Sequence, residues 1–250
     1  MLRMLVLRDL QRKYTRFRLG YLWTLLEPLG MSIVLWFVFS VLLGARSLGL
    51  DPYLLFLSVA ILPWWWFAQG IGAATKIFRR PATAYAVRAS LLPTQFWVLR
   101  VVLVSMIEFL LSLPVILIAV AIAGKIPGPL IVFFPIAIVV QFMLMYGVAL
   151  LIAAGSAVFP DLARLVRIVL RAMFYLSPVL YSISNIPSSV QSIAALNPLV
   201  GVLGLYRLGW WPEEMPAISD YAISLSLCLI LFILGIVVFR RAEGRILKEV

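Results

Sequence analysis

The chain has 250 residues, 64% of them hydrophobic and only 12% charged, with a mean hydropathy of +1.09. Soluble globular domains hold roughly 45 to 50% apolar residues, so a soluble fold is excluded and an all-α polytopic membrane protein is expected. The net charge of +11 reports on topology rather than on a nucleic-acid partner, and the absence of histidine, with Cys228 the single cysteine, excludes disulfides and His/Cys metal or catalytic sites.

Taken in chain order, residues 1–28 form an interfacial segment. Val6, Leu10, Tyr14, Phe17 and Tyr21 recur at spacings of three and four, opposite Arg8, Arg12 and Arg16, which predicts an amphipathic helix along the inner leaflet. The segment is too charged for a signal peptide and is expected to stay uncleaved in the cytosol. Apolar runs at residues 29–45, 53–72, 101–123, 130–158, 166–183 and 222–239 predict six transmembrane helices. Between the second and third, residues 76–100 hold Pro81, suited to a first helical turn, and Pro93, suited to end one, so a short helix is expected there. Residues 184–220 mix apolar stretches with Pro187, Pro198, Pro212 and Pro216. That is too hydrophobic for a solvated loop and too broken for a span, and predicts a re-entrant helical pair capping a pathway.

With the N-terminus inside, 18 of the 21 cations fall on the inner side and only Arg46, Lys125 and Arg207 outside, which selects cytosolic termini. Glu108 lies well inside the third predicted span. A carboxylate there costs about 2.5 to 3.5 kcal/mol on insertion scales, so it has to face protein, be neutral, or meet a cation or a hydroxyl. No P-loop is present: the closest glycine spacing, Gly44 to Gly49, continues Leu50-Asp51 instead of Lys and Ser or Thr. Asp9, Glu27 and Asp161 are scattered, which argues against a membrane transferase.

Arg12-Lys13-Tyr14, then Leu19-Gly20-Tyr21-Leu22-Trp23 and Glu27-Pro28, precede the first predicted span. Leu62-Pro63-Trp64, Ser177-Pro178 with Tyr181, Ile186-Pro187, and Leu196-Asn197-Pro198 with Tyr206-Arg207 follow. In this order the motifs resemble those of the permease subunit of ABC-2 type exporters of lipid-linked polysaccharide, the family that exports O-antigen, teichoic acid and capsule. The resemblance implies a homodimer, two separate ATP-binding subunits that carry the ATP and Mg, no cofactor on this chain, and a polyprenyl-pyrophosphate-linked glycan as cargo in the bacterial inner membrane. With 17 Arg against 4 Lys, a bias of GC-rich genomes, a galactan is one cargo this family membership would allow. A drug or small-lipid exporter of the same superfamily is the alternative.

The resemblance also implies residue roles. Trp36, Phe37, Phe39, Phe56, Trp64, Trp65, Phe67, Phe174, Tyr175 and Tyr181 would line a sugar channel, although Trp64, Trp65 and Trp66 are consecutive and cannot share one helix face, and plain packing accounts for any single ring equally well. Arg79, Arg80, Pro81, Tyr85 and Arg88 would belong to a coupling helix docked on the ATPase. Pro187, Asn197, Pro198 and Arg207 would belong to the outer gate. Arg12, Arg16, Arg18 and Arg88 stand at headgroup depth, where guanidinium groups suit a pyrophosphate better than ammonium does, or serve only orientation and lipid attraction.

Overall fold

The computed structural model describes residues 2–14, 19–44, 49–79, 81–89, 92–214 and 217–249, leaving aside the side chains of residues 81, 82, 84, 88, 188 and 249. The described residues are overwhelmingly helical, as the composition requires. The order is α1 (Leu2–Tyr14), α2 (Trp23–Trp36), α3 (Tyr53–Ala74), α4 (Pro81–Ala89), α5 (Gln95–Ser112), α6 (Pro114–Ala123), α7 (Phe133–Val158), α8 (Leu162–Leu176), α9 (Ser188–Ala194), α10 (Pro198–Arg207) and α11 (Ile218–Glu249). A 3₁₀ turn before α2 and a π segment after it make one continuous helix from Gly20 to Leu42. Five stretches are long and apolar enough to cross a membrane: Gly20–Leu42, Tyr53–Ala74, Gln95–Ala123, Pro129–Val158 and Ile218–Lys248.

α3 is the hub, buried without a break from Leu55 to Trp64, whereas α2 buries only Pro28 and Ser32. α7 and α11 pack backbone to backbone at two glycines. A Cβ on Gly147 would come within 2.5 Å of the Phe232 Cα, and one on Gly235 within 2.6 Å of the Gly147 Cα. Lipid tails are as apolar as leucine, so such close approach, and not hydrophobicity, holds helices together in a bilayer. α10 is buried along its whole length and is tied to α11 where Ser224 Oγ accepts the Gly201 N–H at 2.9 Å.

The fifth expected span departs from the run predicted at residues 166–183. The helix there is α8, which starts at Leu162, stops at Leu176, and bears Arg164, Arg167 and Arg171. Fifteen residues rise about 22 Å, short of the roughly 30 Å hydrocarbon core. The stop is local: Ser177 precedes Pro178 and adopts the extended backbone (φ −94°, ψ 147°) that a following proline imposes. The segment expected over residues 1–28 also divides. α1 ends at Tyr14, and the first crossing helix begins at Gly20, whose φ of +47° turns the chain, so Pro28 lies inside a helix rather than ahead of it. Ser32 Oγ donates to the Pro28 carbonyl at 2.9 Å. Within residues 76–100, α4 forms as expected, while α5 starts earlier than residue 101, capped where the Glu243 carboxylate of α11 accepts from Thr94 Oγ1 at 2.5 Å and from the Thr94 N–H at 3.3 Å. Between α8 and α11 the chain forms two short helices, α9 and α10, in place of a span.

Candidate functional site

α1 does not present its apolar face to lipid. Val6, Leu10 and Tyr14 are buried and pack with Leu103, Val104 and Ile107 of α5. Two ion pairs fasten the same seam. Arg100 Nε of α5 stands 3.1 Å from Asp9 Oδ2, and Lys13 Nζ stands 2.8 Å from Glu108 Oε1. The Tyr14 hydroxyl donates to the same Glu108 oxygen at 2.9 Å. Burial, then the Glu108 charge, raises the Tyr14 pKa, so the phenol stays a donor. Glu108 thus meets both a cation and a hydroxyl, the environment its depth demands. The Tyr14 ring lies 4.4 Å from that of Tyr21, across the turn at Gly20. The motif Arg12-Lys13-Tyr14 followed by Leu19-Gly20-Tyr21 is therefore a corner that pins α1 against α5.

Beside this seam opens a cleft of about 1160 Å³, walled by α1, α3, α5 and the start of α8. Six cationic side chains line it, Arg12, Lys13, Lys76, Arg79, Arg164 and Arg167, against Asp9, Glu108 and Asp161, so it favours anions. Arg79 also donates to the Pro160 carbonyl at 3.2 Å, tying the end of α3 to the start of α8. A smaller cavity of about 300 Å³ adjoins it between α2, α3 and α5, and both share Lys13, Trp65, Gln69, Ser105 and Glu108. Among the described residues no cluster of His, Cys, Asp and Glu is suited to hold a metal ion.

The residues singled out by sequence fall into separate places. Of the expected rim, Arg12 lines the cleft; Arg16 and Arg18 lie outside the described residues, as does the side chain of Arg88. Of the coupling group, Arg79 lines the same cleft, Tyr85 projects from α4 with 77% of its surface exposed, and Arg80 and the Pro81 side chain lie outside the described residues. Four expected channel rings form a chain between α3 and α8: Phe67 to Trp64 at 6.0 Å, Trp64 to Phe174 at 5.5 Å, Phe174 to Tyr175 at 5.2 Å. The Tyr181 hydroxyl donates to the Tyr175 carbonyl at 3.2 Å, and Trp65 borders both cavities. Trp36 and Phe37 are exposed on the outer face of α2, with Phe39 partly buried against the core. Phe56 lines no opening: it is fully buried, with the Arg207 guanidinium 3.6 Å above its ring and Trp211 edge-on at 5.4 Å.

In the expected gate region, Pro187 is the exposed residue that precedes α9, and Pro198 opens α10. Asn197 caps α10, accepting from the Leu199 N–H at 3.0 Å and donating to Ser177 Oγ at 2.8 Å. Arg207 does not reach the surface. It donates to the carbonyls of Val179 at 3.1 Å and Tyr181 at 3.5 Å, and faces Glu214 at 3.9 Å with both side chains buried. Glu214 in turn accepts from the Ser182 hydroxyl and the Ile183 N–H. Arg207 is thus a staple for the chain on either side of α9 and α10.

No site role follows from sequence for Lys13, Lys76, Gln69, Arg164 or Arg167. The spacing of Arg164, Arg167 and Arg171 at three and four marks one helix face, the signal that points to two of them.

Comparison with known proteins finds membrane transport permeases. The chain is 27% identical over 242 residues to the O-antigen export system permease protein RfbA of Klebsiella pneumoniae, covering 95% of this chain and 90% of that one. It is 32% identical over 217 residues to the protein of the same name from Myxococcus xanthus, covering 85% and 80%. The polysialic acid transport protein KpsM of Escherichia coli is 24% identical over 268 residues, covering 98% and 94%. The family model for the ABC-2 type transporter matches residues 2–208, from α1 through α10, and the chain belongs to that family.

Proposed function

We propose that this chain is the membrane subunit of an ATP-driven exporter that carries polyprenyl-pyrophosphate-linked polysaccharide across a bacterial inner membrane. It acts as two copies with two separate ATPase subunits, and α8 with residues 177–183 makes the sixth crossing, so that α9 and α10 form a re-entrant pair at the outer end. The observation that carries this reading is the arginine face of α8 continuing the basic cleft. Arg171 is exposed about two and a half turns along the helix. An arginine against lipid costs about 2.5 to 3.5 kcal/mol at mid-bilayer on insertion scales, so this face is expected to meet water, an anionic cargo or a second copy. The carrier's pyrophosphate enters at Arg12 and Arg79, and the glycan follows along the rings between α3 and α8. The relatives named for O-antigen export and polysialic acid transport support a polysaccharide cargo.

The test is accumulation. Removing this chain should leave lipid-linked glycan on the cytosolic side of the membrane, detected after extraction and mild acid release. Accumulation of a drug or a short lipid, with normal surface glycan, would favour the drug or small-lipid exporter instead.

A further inference from the structure

The smaller cavity next to the Lys13–Glu108 pair has a chemistry that the anion cleft does not explain. At about 300 Å³ it stands at the small end of ligand pockets. Its walls pair flat rings with unused polar groups. Trp66 is stacked on Phe109 at 4.8 Å and buried to 2% exposure, and its indole N–H finds no partner among the described residues. Gln69 is exposed and borders both cavities, its amide open to a ligand. Glu108 uses Oε1 for Lys13 and Tyr14, which leaves Oε2 able to accept. Trp65, at the junction, offers a further ring. A buried indole N–H without a partner carries a desolvation cost that a ligand hydroxyl would remove.

We infer that this chamber is a subsite for a single sugar ring within each copy of the chain. Trp66 and Gln69 donate to ring hydroxyls, Glu108 Oε2 accepts from one, and Trp65 covers an apolar face. The inference rests on the proposed function, because it places the first sugar in the chamber as the carrier docks, with the pyrophosphate in the adjoining cleft, before the glycan moves onto the rings between α3 and α8. The two cavities meet at Lys13 and Glu108, so sugar and diphosphate would sit on either side of that pair. A prenyl chain, which offers no hydrogen-bonding groups, would leave Trp66, Gln69 and Glu108 Oε2 unsatisfied.

The experiment measures binding of two radiolabelled probes to the full chain in nanodiscs: undecaprenyl diphosphate, and undecaprenyl diphosphate bearing one N-acetylglucosamine. The sugar-bearing carrier should bind about tenfold more tightly, the worth of one or two hydrogen bonds with ring contact. In Trp66→Phe, which keeps an aromatic ring against Phe109 and loses the N–H with the second ring, and in Gln69→Leu, that advantage should shrink severalfold, with affinity for the bare carrier unchanged in Trp66→Phe, whose side chain lines only the chamber. Equal binding of the two carriers by the unmodified chain, or an advantage that survives in both variants, overturns the subsite and leaves the export reading standing. Binding of neither carrier overturns both.

Discussion

Arg207 and Glu108 are two charged residues at depth, and their surroundings give them different work. The Arg207–Glu214 pair is almost entirely buried and spaced at 3.9 Å, with Arg207 Nε lacking a partner among the described residues. Desolvation at such a site offsets much of the attraction, while removing one member strands the other. Arg207→Met should therefore lower stability by about 3 to 5 kcal/mol, and adding Glu214→Leu should restore a good part of it. Thermal unfolding of the purified chain, followed by tryptophan fluorescence, checks this, and a double variant no better than the single one would contradict it. Lys13 is half exposed, so its pair with Glu108 is partly screened. Glu108→Gln, which still accepts from Tyr14, should change stability by less than about 1 kcal/mol, whereas Glu108→Leu should cost about 1 to 3 kcal/mol by orphaning the Tyr14 hydroxyl. In the cleft, Arg12→Lys and Arg79→Lys keep the charge and remove the guanidinium fork. Surface glycan should fall severalfold in both with insertion unchanged, and normal export in both would show that the arginines supply charge alone.

At the scale of elements, apolar length made five of the six predicted spans legible in chain order, because a run such as residues 130–158 admits no other reading in a bilayer. α8 was harder. Its apolar residues extend to Leu176 and its motif to Pro178, so hydropathy carried the predicted span past the break that Ser177-Pro178 makes, while its arginines carried the start inward. α1 showed its periodicity plainly, yet the same stripe serves lipid or a neighbouring helix. Only the acids Asp9 and Glu108, opposite Arg100 and Lys13, decide for the helix. Of the cleft, only Arg12 was legible as an anion-binding residue, since the cleft gathers side chains from α1, α3, α5 and α8 that lie far apart in sequence. Nor was the α7–α11 seam, whose signal is two glycines among many. Gly147→Val puts branched carbons where the Phe232 backbone stands 2.5 Å from the Cβ position, and should force these helices apart. Loss of folded protein from membranes checks it, with Gly72→Val, where a Cβ meets nothing within 4 Å, as the tolerated comparison.

The whole molecule leaves two kinds of apolar surface uncovered. On α6 and α7, exposed Leu117, Ile122 and Val139 carry no charge among them and suit lipid. α2 and α8 differ: Trp36 and Tyr175 are exposed on them, Phe37 is exposed just past α2, and α8 also turns Arg167 and Arg171 outward. Lipid alone cannot satisfy α8, because an arginine there needs water, an anion or a partner dipole. A second copy, meeting the first along α2 and α8, would enclose the arginines in a polar passage and cover the aromatic rings at its margins. The native Cys228 is buried, so a Cys228→Ser background leaves introduced thiols as the reactive ones. In that background, cysteine at Phe37 or Tyr175 should give an oxidatively cross-linked dimer in native membranes, while cysteine at Leu117 should stay monomeric. Cross-linking at Leu117 with none at Phe37 or Tyr175 would place the partner against α6 instead, and with it the passage.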